Sequence, residues 1–347
     1  MSELFQLILD RSYKKIAIVG MTKNVGKTVT LNYLVQEFEI SGLKIGLVSA
    51  GYDGERFDRL TLKEKPRIYA PRDSIVATAK ACFDAAEAEL ELIESSFFST
   101  PLGPVCIARV RKAGLVELAG PGSVNSLKEL TDRMSLAGAD YIIVDGAINR
   151  LASASPKLTE ATILASGAAL GPTMDDVIRK TNFRSALMNL NRVENEKLFR
   201  MALKGLDHGN GVLLHREGED FRIETVEASI PLIAGALLID RCRQNTEALV
   251  FGGALVDNSL VDIMELYDRP PGIILFDATK LFISPETYNK YTNRGGKIEV
   301  LKEIDLIAVT VNPTDPCGRG YAPEMFLERM RESLAPCPVF DLVYERP

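Results

Sequence analysis

The chain lacks several patterns that mark whole classes of protein. It has no Trp and only two His, His208 and His215, so a His-rich metal site is not expected. The cysteines are odd in number and scattered, and no Cys-x-x-Cys pair occurs, which argues against a disulfide framework and a zinc site. We therefore expect reduced thiols, as in a cytoplasmic protein, at Cys82, Cys106, Cys242, Cys317 and Cys337.

Long apolar runs and an excess of basic charge are also missing. No apolar run reaches the ~18 residues that a membrane span needs, and residues 1–11 have neither the basic nor the apolar region of a signal peptide. The 347 residues include 41 Lys and Arg against 47 Asp and Glu, which argues against a broad nucleic-acid surface. We expect a cytoplasmic protein that binds neither membrane nor nucleic acid.

What is present begins with a β-α-β unit. Residues 15–20 and 44–49 are short runs of mostly apolar residues, which predict strands buried on both faces. Between them, residues 28–40 have apolar side chains at helical spacing, and Ser41-Gly42 then favours a helix end. Two strands joined by a helix in this way are expected to pair in parallel.

The rest of the chain continues this alternation. We predict a P-loop-type α/β fold, with a mostly parallel sheet flanked by helices, followed by a second, smaller α/β domain. The boundary is placed in the glycine-containing segment 204–210, which gives domains at 1–205 and 206–347. The predicted helices are 77–93, 125–136, 175–203, 259–267 and 323–334, and the predicted strands are 104–110, 114–118, 140–146, 161–165, 211–215, 221–226, 247–251, 272–276, 297–300 and 306–311.

The segment between the first strand and the first helix has the pattern of a phosphate-binding loop. It reads Gly20-Met21-Thr22-Lys23-Asn24-Val25-Gly26-Lys27-Thr28-Val29. Backbone N–H groups at a helix N-terminus carry partial positive charge and can surround phosphate oxygens. Lys27 is then expected to contact the β- and γ-phosphates, and Thr28 to ligate Mg²⁺. The alternative is a glycine turn with a chance Gly-Lys-Thr.

Two acidic residues are candidates to complete this site. Asp145 ends an apolar strand, where a carboxylate can hold Mg²⁺ directly or through water; the alternative is a turn, which Asp-Gly favours. Asp53 follows the second strand and is either a metal or water ligand or part of an exposed turn. Lys27, Asp145 and Asp53 are thus the candidate catalytic residues. The candidate metal ligands are Thr28, Asp145 and Asp53.

Three further loops follow predicted strands and could touch a substrate or partner, or could be simple tight connections. They are 119–125, 166–173 and 312–320. In the second, Thr173 is a candidate helix N-cap. The third could line a cleft between domains, and Cys317 within it is expected to be an unreactive loop thiol.

The phosphate loop resembles that of dethiobiotin synthetase and cobyrinate diamide synthase, relatives of the MinD and nitrogenase-iron-protein NTPases. Five residues separate Gly20 from Gly26, where the commonest motif has four. The resemblance implies a P-loop NTPase that uses Mg²⁺, with hydrolysis or phosphoryl transfer as its default chemistry. The guanine-reading Asn-Lys-x-Asp motif is absent, which favours ATP. The matching residues are Gly20, Val25, Gly26, Lys27, Thr28 and Val29.

The same relatives also show where the chain departs from them. MinD-type loops carry a lysine that reaches the partner's nucleotide across a homodimer, five residues before the main lysine. Lys23 lies four residues before Lys27, so a homodimer with Lys23 acting in trans, a cis phosphate contact and an exposed loop lysine all stay open. The Lys-Pro pair that handles substrate in dethiobiotin synthetase is replaced here by Ser49-Ala50-Gly51. Its ligase activity is therefore not expected to transfer.

Over its whole length the chain resembles an accessory protein of the adenosylcobalamin-dependent lysine 5,6-aminomutase. Such proteins are described as reactivating factors that work with an ATPase partner. The segments that carry the resemblance are 19–28, 145–156 and 165–173. It implies an ATP-dependent switch or chaperone whose client is the aminomutase. The alternatives are an ATP-dependent ligase or kinase that acts on a small carboxylate or amine, and a nucleotide-binding scaffold without turnover.

Overall fold

The computed structural model describes residues 2–51, 67–227 and 231–344 and has an α/β architecture. The chain divides into two compact units, one made of Met1–Ser185 and Asp305–Pro347, the other of Ala186–Ile304. This division differs from the boundary predicted near residue 205, because the chain returns to the first unit after Ile304. None of the helices in the described ranges is both long enough and apolar enough to cross a membrane.

The first unit opens with alternating helices and strands. The two strands and the helix predicted at its start are present, but the predicted pairing of the two strands is wrong, because the strand Tyr141–Ala147 lies between them and pairs in parallel with both. In chain order the elements are α1 (Glu3–Asp10), β1 (Lys15–Gly20), α2 (Lys27–Ile40), β2 (Ile45–Ser49), β3 (Ile68–Ala70), β4 (Ile75–Ala79), α3 (Lys80–Asp84), β5 (Glu89–Thr100), β6 (Gly103–Lys112), β7 (Gly114–Val116), α4 (Val124–Leu136), β8 (Tyr141–Ala147), β9 (Ala161–Gly167) and α5 (Met174–Met188).

The second unit has a sheet of its own. Its described strands run in the order β11-β10-β12-β14-β16, with β12, β14 and β16 parallel and the other two antiparallel. Its elements are α6 (Glu196–Leu206), β10 (Gly211–Glu217), β11 (Asp220–Val226), α7 (Pro231–Asp240), β12 (Thr246–Phe251), β13 (Leu255–Val256), α8 (Asp257–Leu266), β14 (Gly272–Leu275), β15 (Leu281–Phe282), α9 (Pro285–Asn293) and β16 (Ile298–Val300).

The chain then adds β17 (Leu306–Asn312), α10 (Pro323–Leu334) and β18 (Val339–Phe340) to the first unit. The described strands of the main sheet run in the order β18-β17-β9-β1-β8-β2-β4-β6-β5. Pairing is parallel from β18 to β4 and antiparallel for β6 and β5. The carboxyl ends of β17, β9, β1, β8 and β2 therefore lie along one edge.

Both faces of the main sheet are covered by apolar side chains. Along β8, Ile143 belongs to one buried cluster, while Ile142 and Val144 belong to another. The first cluster includes α1 and α2, where the rings of Phe5 and Phe38 meet edge to face at 4.8 Å. The second includes α4. Because both faces are covered, successive residues of the strand are apolar, which is the pattern that the sequence shows.

The helix predicted over 77–93 is wrong. The structure has the end of β4, the short α3 and the start of β5 there. Ala and Glu favour a helix in isolation, but Ala77 and Ala79 are fully buried in β4, which pairs with β2 and β6. Sheet pairing therefore outweighs local helix propensity at this position. The region 175–203 forms two helices, α5 and α6.

Candidate functional site

The phosphate-loop sequence connects β1 to α2. Strand β1 ends at Gly20, and Gly26 is the N-cap of α2 in the left-handed conformation, with φ of 89°. Asn24 is left-handed as well, with φ of 63°. Glycine adopts such a backbone readily, and it brings no side chain that would cover the helix end. The first N–H groups of α2 are therefore open to an anion, which the helix dipole attracts.

The inner side of this loop is packed against the sheet. The Met21 N–H donates a hydrogen bond to the Ala165 carbonyl of β9 at 2.9 Å, and Val25 is only 1% exposed. A Cβ added at Gly20 would lie 3.3 Å from Cγ2 of Val25. An anion can therefore reach the loop only from its outer side. There, Thr22, Lys23, Asn24 and Val29 are exposed, and Met21, Lys27 and Thr28 are half-buried.

Lys27 and Asp145 meet at the carboxyl edge of the sheet. Parallel pairing sets Ile18 of β1 opposite Asp145 of β8, so the carboxylate lies beside the phosphate loop. Nζ of Lys27 is 2.9 Å from Oδ1 of Asp145, with the two side chains 25% and 16% exposed. At these exposures both charges are mostly buried, so either side chain that loses this partner needs another group of opposite charge.

The oxygen ligands beside the loop suit Mg²⁺ bound together with phosphate. Thr28 follows Lys27 in the first turn of α2. Within the ranges that the structure describes, no group of three or more His, Cys, Asp and Glu side chains could hold a metal by itself. Mg²⁺ commonly takes one or two protein carboxylates and completes its shell with water and phosphate oxygens. One carboxylate and one hydroxyl fit that pattern. The other predicted ligand, Asp53, lies outside the described residues.

The loop at 119–125 packs tightly against the end of β2. The Gly51 N–H donates to the Pro121 carbonyl at 3.0 Å. A Cβ added at Gly120 would lie 1.9 Å from the carbonyl oxygen of Ser49. These contacts support the interpretation of this loop as a tight connection that holds the carboxyl edge in place.

The loop at 166–173 is held by hydroxyl groups. Oγ of Ser166 and Oγ1 of Thr181 lie 2.7 Å apart, and both residues are buried. Oγ1 of Thr173 accepts a hydrogen bond from the Asp176 N–H at 3.2 Å, so Thr173 caps α5 as predicted. These contacts also favour a structural role for the loop.

A further contact with the phosphate loop comes from Asn312, which sequence reasoning did not assign to the site. Asn312 ends β17, two strands from β1. Its Nδ2 donates to the carbonyl of Asn24 at 3.3 Å. A polar residue that ends a buried strand is the same signal that marks Asp145. Only the strand order, which the sequence does not show, links Asn312 to the loop.

The loop that follows Asn312 is held together by hydrogen bonds to the Asp315 carboxylate. This carboxylate accepts hydrogen bonds from Nε of Arg319 at 2.7 Å and from the N–H groups of Cys317 and Arg319 at 2.9 Å each. Burial opposes the ionisation of Asp315, but these donors outweigh it and hold its pKa below the ordinary value. The Cys317 thiol is exposed in this loop, as predicted.

The described site thus combines a helix N-terminus, a lysine, a hydroxyl and a carboxylate at one edge of a mostly parallel sheet. Of the predicted site residues, Lys27 and Asp145 are in direct contact. Comparison of the chain with protein-family models, with curated proteins and with solved structures finds no significant match.

Proposed function

We propose that the chain binds Mg-ATP at the loop Gly20–Val29. The observation that carries the proposal is the contact of Lys27 with Asp145 at 2.9 Å, beside the N-terminus of α2. An ammonium, a carboxylate and the first N–H groups of a helix converge there. These are the groups that hold phosphate oxygens and Mg²⁺ in phosphoryl-transfer sites.

Nucleotide binding would exchange the partners of the ion pair. Lys27 would turn from Asp145 to the phosphate oxygens, and Asp145 would then hold Mg²⁺ directly or through water, with the Thr28 hydroxyl as a second ligand. Since both side chains are mostly buried, Mg²⁺ would replace the ammonium as the cation beside Asp145 when Lys27 turns to the phosphate. A phosphate group offers more negative charge and more acceptor oxygens than one carboxylate, so it is the stronger partner for Lys27.

Adenine is the base that the sequence favours. The chain contains no Asn-Lys-x-Asp segment. Asn312 and Asp315 have the spacing of its first and last residues, but Pro313 replaces the lysine. The Asp315 carboxylate also already binds Nε of Arg319 at 2.7 Å. A carboxylate engaged in this way is a poor acceptor for the guanine base, because its present hydrogen bonds would have to break.

Calorimetric titration of the wild-type protein with Mg-ATP tests this proposal. We expect saturable binding that weakens when Mg²⁺ is removed by a chelator and that is stronger for Mg-ATP than for Mg-GTP. Retention of labelled nucleotide on a filter provides a second measurement that does not depend on the heat of binding. If neither method detects binding of Mg-ATP, the proposal is wrong.

Asp145→Asn is expected to impair the use of Mg²⁺ more than the binding of nucleotide. The amide keeps the shape of the side chain but loses the negative charge, while Lys27 and the loop remain to bind phosphate. We expect the Mg²⁺ concentration for half-maximal ATP hydrolysis to rise about tenfold or more. The ATPase rate measured against Mg²⁺ concentration checks this.

The matched control for this variant is Asp140→Asn. Asp140 precedes the same strand at its other end, where its carboxylate accepts the Lys44 N–H at 3.0 Å. Asp140→Asn should leave the Mg²⁺ dependence of ATP hydrolysis unchanged. A hydrolysis rate and Mg²⁺ dependence that are also unchanged in Asp145→Asn would contradict the metal role.

The proposed use of the nucleotide is to drive a switch that acts on a client protein. Two observations support a switch over a ligase or kinase: the whole-chain resemblance to the aminomutase reactivating protein, and the absence of a lysine in Ser49-Ala50-Gly51. The ends of β2, β8 and β9 lie beside the proposed phosphate site and could transmit its occupancy to a client. The proposed client is a cobalamin-dependent aminomutase with a damaged cofactor.

Reactivation of such an enzyme is the direct test of this step. The aminomutase is inactivated by turnover and then given this protein, any co-encoded ATPase, Mg-ATP and fresh adenosylcobalamin. We expect activity to return with wild-type protein and not with Lys27→Ala, because nucleotide binding would drive release of the spent cobalamin. Equal recovery without this protein would contradict the switch. ATP turnover that requires a small carboxylate or amine would favour the ligase or kinase instead.

A further inference from the structure

We propose that Asn312 is a positioning residue of the phosphate loop, which it holds in the shape that binds phosphate. The inference rests on the proposed function, since it concerns the same Mg-ATP site. It also gives β17 a role in nucleotide binding, although this strand lies far from the loop in sequence.

The side-chain amide of Asn312 is oriented by Thr314, two residues after the end of β17. Its Oδ1 accepts hydrogen bonds from the Thr314 N–H at 3.1 Å and from the Thr314 hydroxyl at 3.0 Å. The NH₂ group is thereby turned to the loop, where Nδ2 donates to the Asn24 carbonyl at 3.3 Å. The opposite orientation would set donor against donor at Thr314 and oxygen against oxygen at Asn24. The contacts themselves therefore select this orientation.

The hydrogen bond falls on the least regular part of the loop. Asn24 and Gly26 both have left-handed backbones, with φ of 63° and 89°. Asn adopts that conformation more readily than other non-glycine residues do, and contacts from its surroundings can then fix it there. The Asn312 amide stabilises Asn24 in this way. It also engages a carbonyl oxygen that would repel an anion if it turned to the outer side of the loop.

The loop approaches β17 closely around this contact. A Cβ added at Gly26 would lie 3.1 Å from Cβ of Asn312. One turn further along α2, Oγ1 of Thr30 lies 2.8 Å from Oγ1 of Thr310, and both residues are buried. Alternate residues of β17 thus hold the loop and the first turn of α2.

A loop that is ordered before the ligand arrives binds more tightly, because less conformational entropy is lost on binding. Loss of the Asn312 amide is therefore expected to weaken nucleotide binding in a folded protein. A residue that only fills space at the end of a strand would affect stability and leave affinity unchanged.

Three variants separate these two roles. Asn312→Ala removes the amide altogether. Asn312→Asp keeps the shape and the acceptor for Thr314, but it sets a carboxylate oxygen against the Asn24 carbonyl. Thr314→Val is the matched control, since it removes one donor to Oδ1 and leaves the amide in contact with the loop.

Calorimetric titration with Mg-ATP measures the effect, and thermal unfolding confirms that each variant is folded. We expect Asn312→Ala to weaken binding about five- to tenfold, the size that one net hydrogen bond supports. Asn312→Asp should weaken it at least as much, and Thr314→Val by less than about twofold. Asn312→Asp also adds a negative charge near the proposed phosphates, so Asn312→Ala decides between the two roles. A purely space-filling Asn312 would leave the affinity of Asn312→Ala within about twofold of the wild type.

The outcomes distinguish this inference from the proposed function. A wild-type protein that binds no Mg-ATP overturns both. Wild-type binding that stays within about twofold in Asn312→Ala and Asn312→Asp overturns the role of Asn312 alone and leaves the nucleotide site intact. If Asn312→Ala fails to fold, Asn312→Leu, which keeps a similar volume without a charge or a donor, decides the question.

Discussion

Lys27→Ala is expected to lower the affinity for Mg-ATP about a hundredfold or more while the protein stays folded. The Lys27 ammonium supplies a full charge where the β- and γ-phosphates are proposed to lie. Hydrogen bonds between charged groups are stronger than those between neutral groups. A loss of about 3 kcal/mol corresponds to roughly a hundredfold in dissociation constant. Asp145 would lose its partner, but Mg²⁺ can replace the ammonium. Calorimetric titration and circular dichroism check both parts.

Lys15→Ala is the matched control for this experiment. Lys15 lies on the same strand, β1, but at its opposite end, and its ammonium binds the carboxylate of Asp132 with 18% of the lysine side chain exposed. The variant changes the net charge by the same amount and leaves the loop untouched. It should bind Mg-ATP like the wild type. If Lys27→Ala also does so, the nucleotide assignment fails.

Gly120→Ala is expected to be strongly destabilising. Its added Cβ would lie 1.9 Å from the Ser49 carbonyl oxygen and 3.1 Å from the Ser49 carbonyl carbon. The obstacle is backbone at the end of β2, opposite Asp145 in the sheet, so it cannot rotate away like a side chain. We expect the free energy of unfolding to fall by about 3 kcal/mol or more. For a unit of this size that lowers Tm by roughly 6–12 °C.

Gly122→Ala, in the same loop, provides the comparison. A Cβ added at Gly122 meets no described heavy atom within 4 Å. We expect its free energy of unfolding to stay within about 0.5 kcal/mol of the wild type. Thermal unfolding followed by circular dichroism measures both variants. Equal stability of the two would mean that the end of β2 can move without a free-energy penalty.

The central strands of the main sheet can be predicted from the sequence because both of their faces are buried. Strands β1, β2, β8 and β9 are covered on both faces, so their residues are apolar in succession. Strand β17 is equally apolar, but no local pattern shows that it pairs with β9. In the sequence, the whole second unit lies between β9 and β17. The boundary predicted near residue 205 therefore differs from the division seen in the structure.

The candidate site, like the fold, can be predicted only in part from the sequence. The sequence brings Lys27 and Asp145 to the same edge, because Lys27 begins the helix that follows β1 and Asp145 lies near the carboxyl end of β8, which is parallel to β1. The contact of Asn312 with Asn24 depends on which strand lies two places from β1 and on how one amide is turned. Neither is encoded in a short pattern of residues.

The position of residues 186–304 between β9 and β17 also affects how the chain is synthesised. A nascent chain that ends at Ile304 already contains β9, whose residues are all buried in the finished protein, but not the strand that covers its outer edge. Translation of about 120 residues at 5–20 residues per second takes on the order of 6–24 s. During that interval β9 is an exposed apolar edge, which readily pairs with other chains. The half-built sheet is thus the stage at which aggregation is expected, and the phosphate loop gains its contact with Asn312 only when translation is nearly complete.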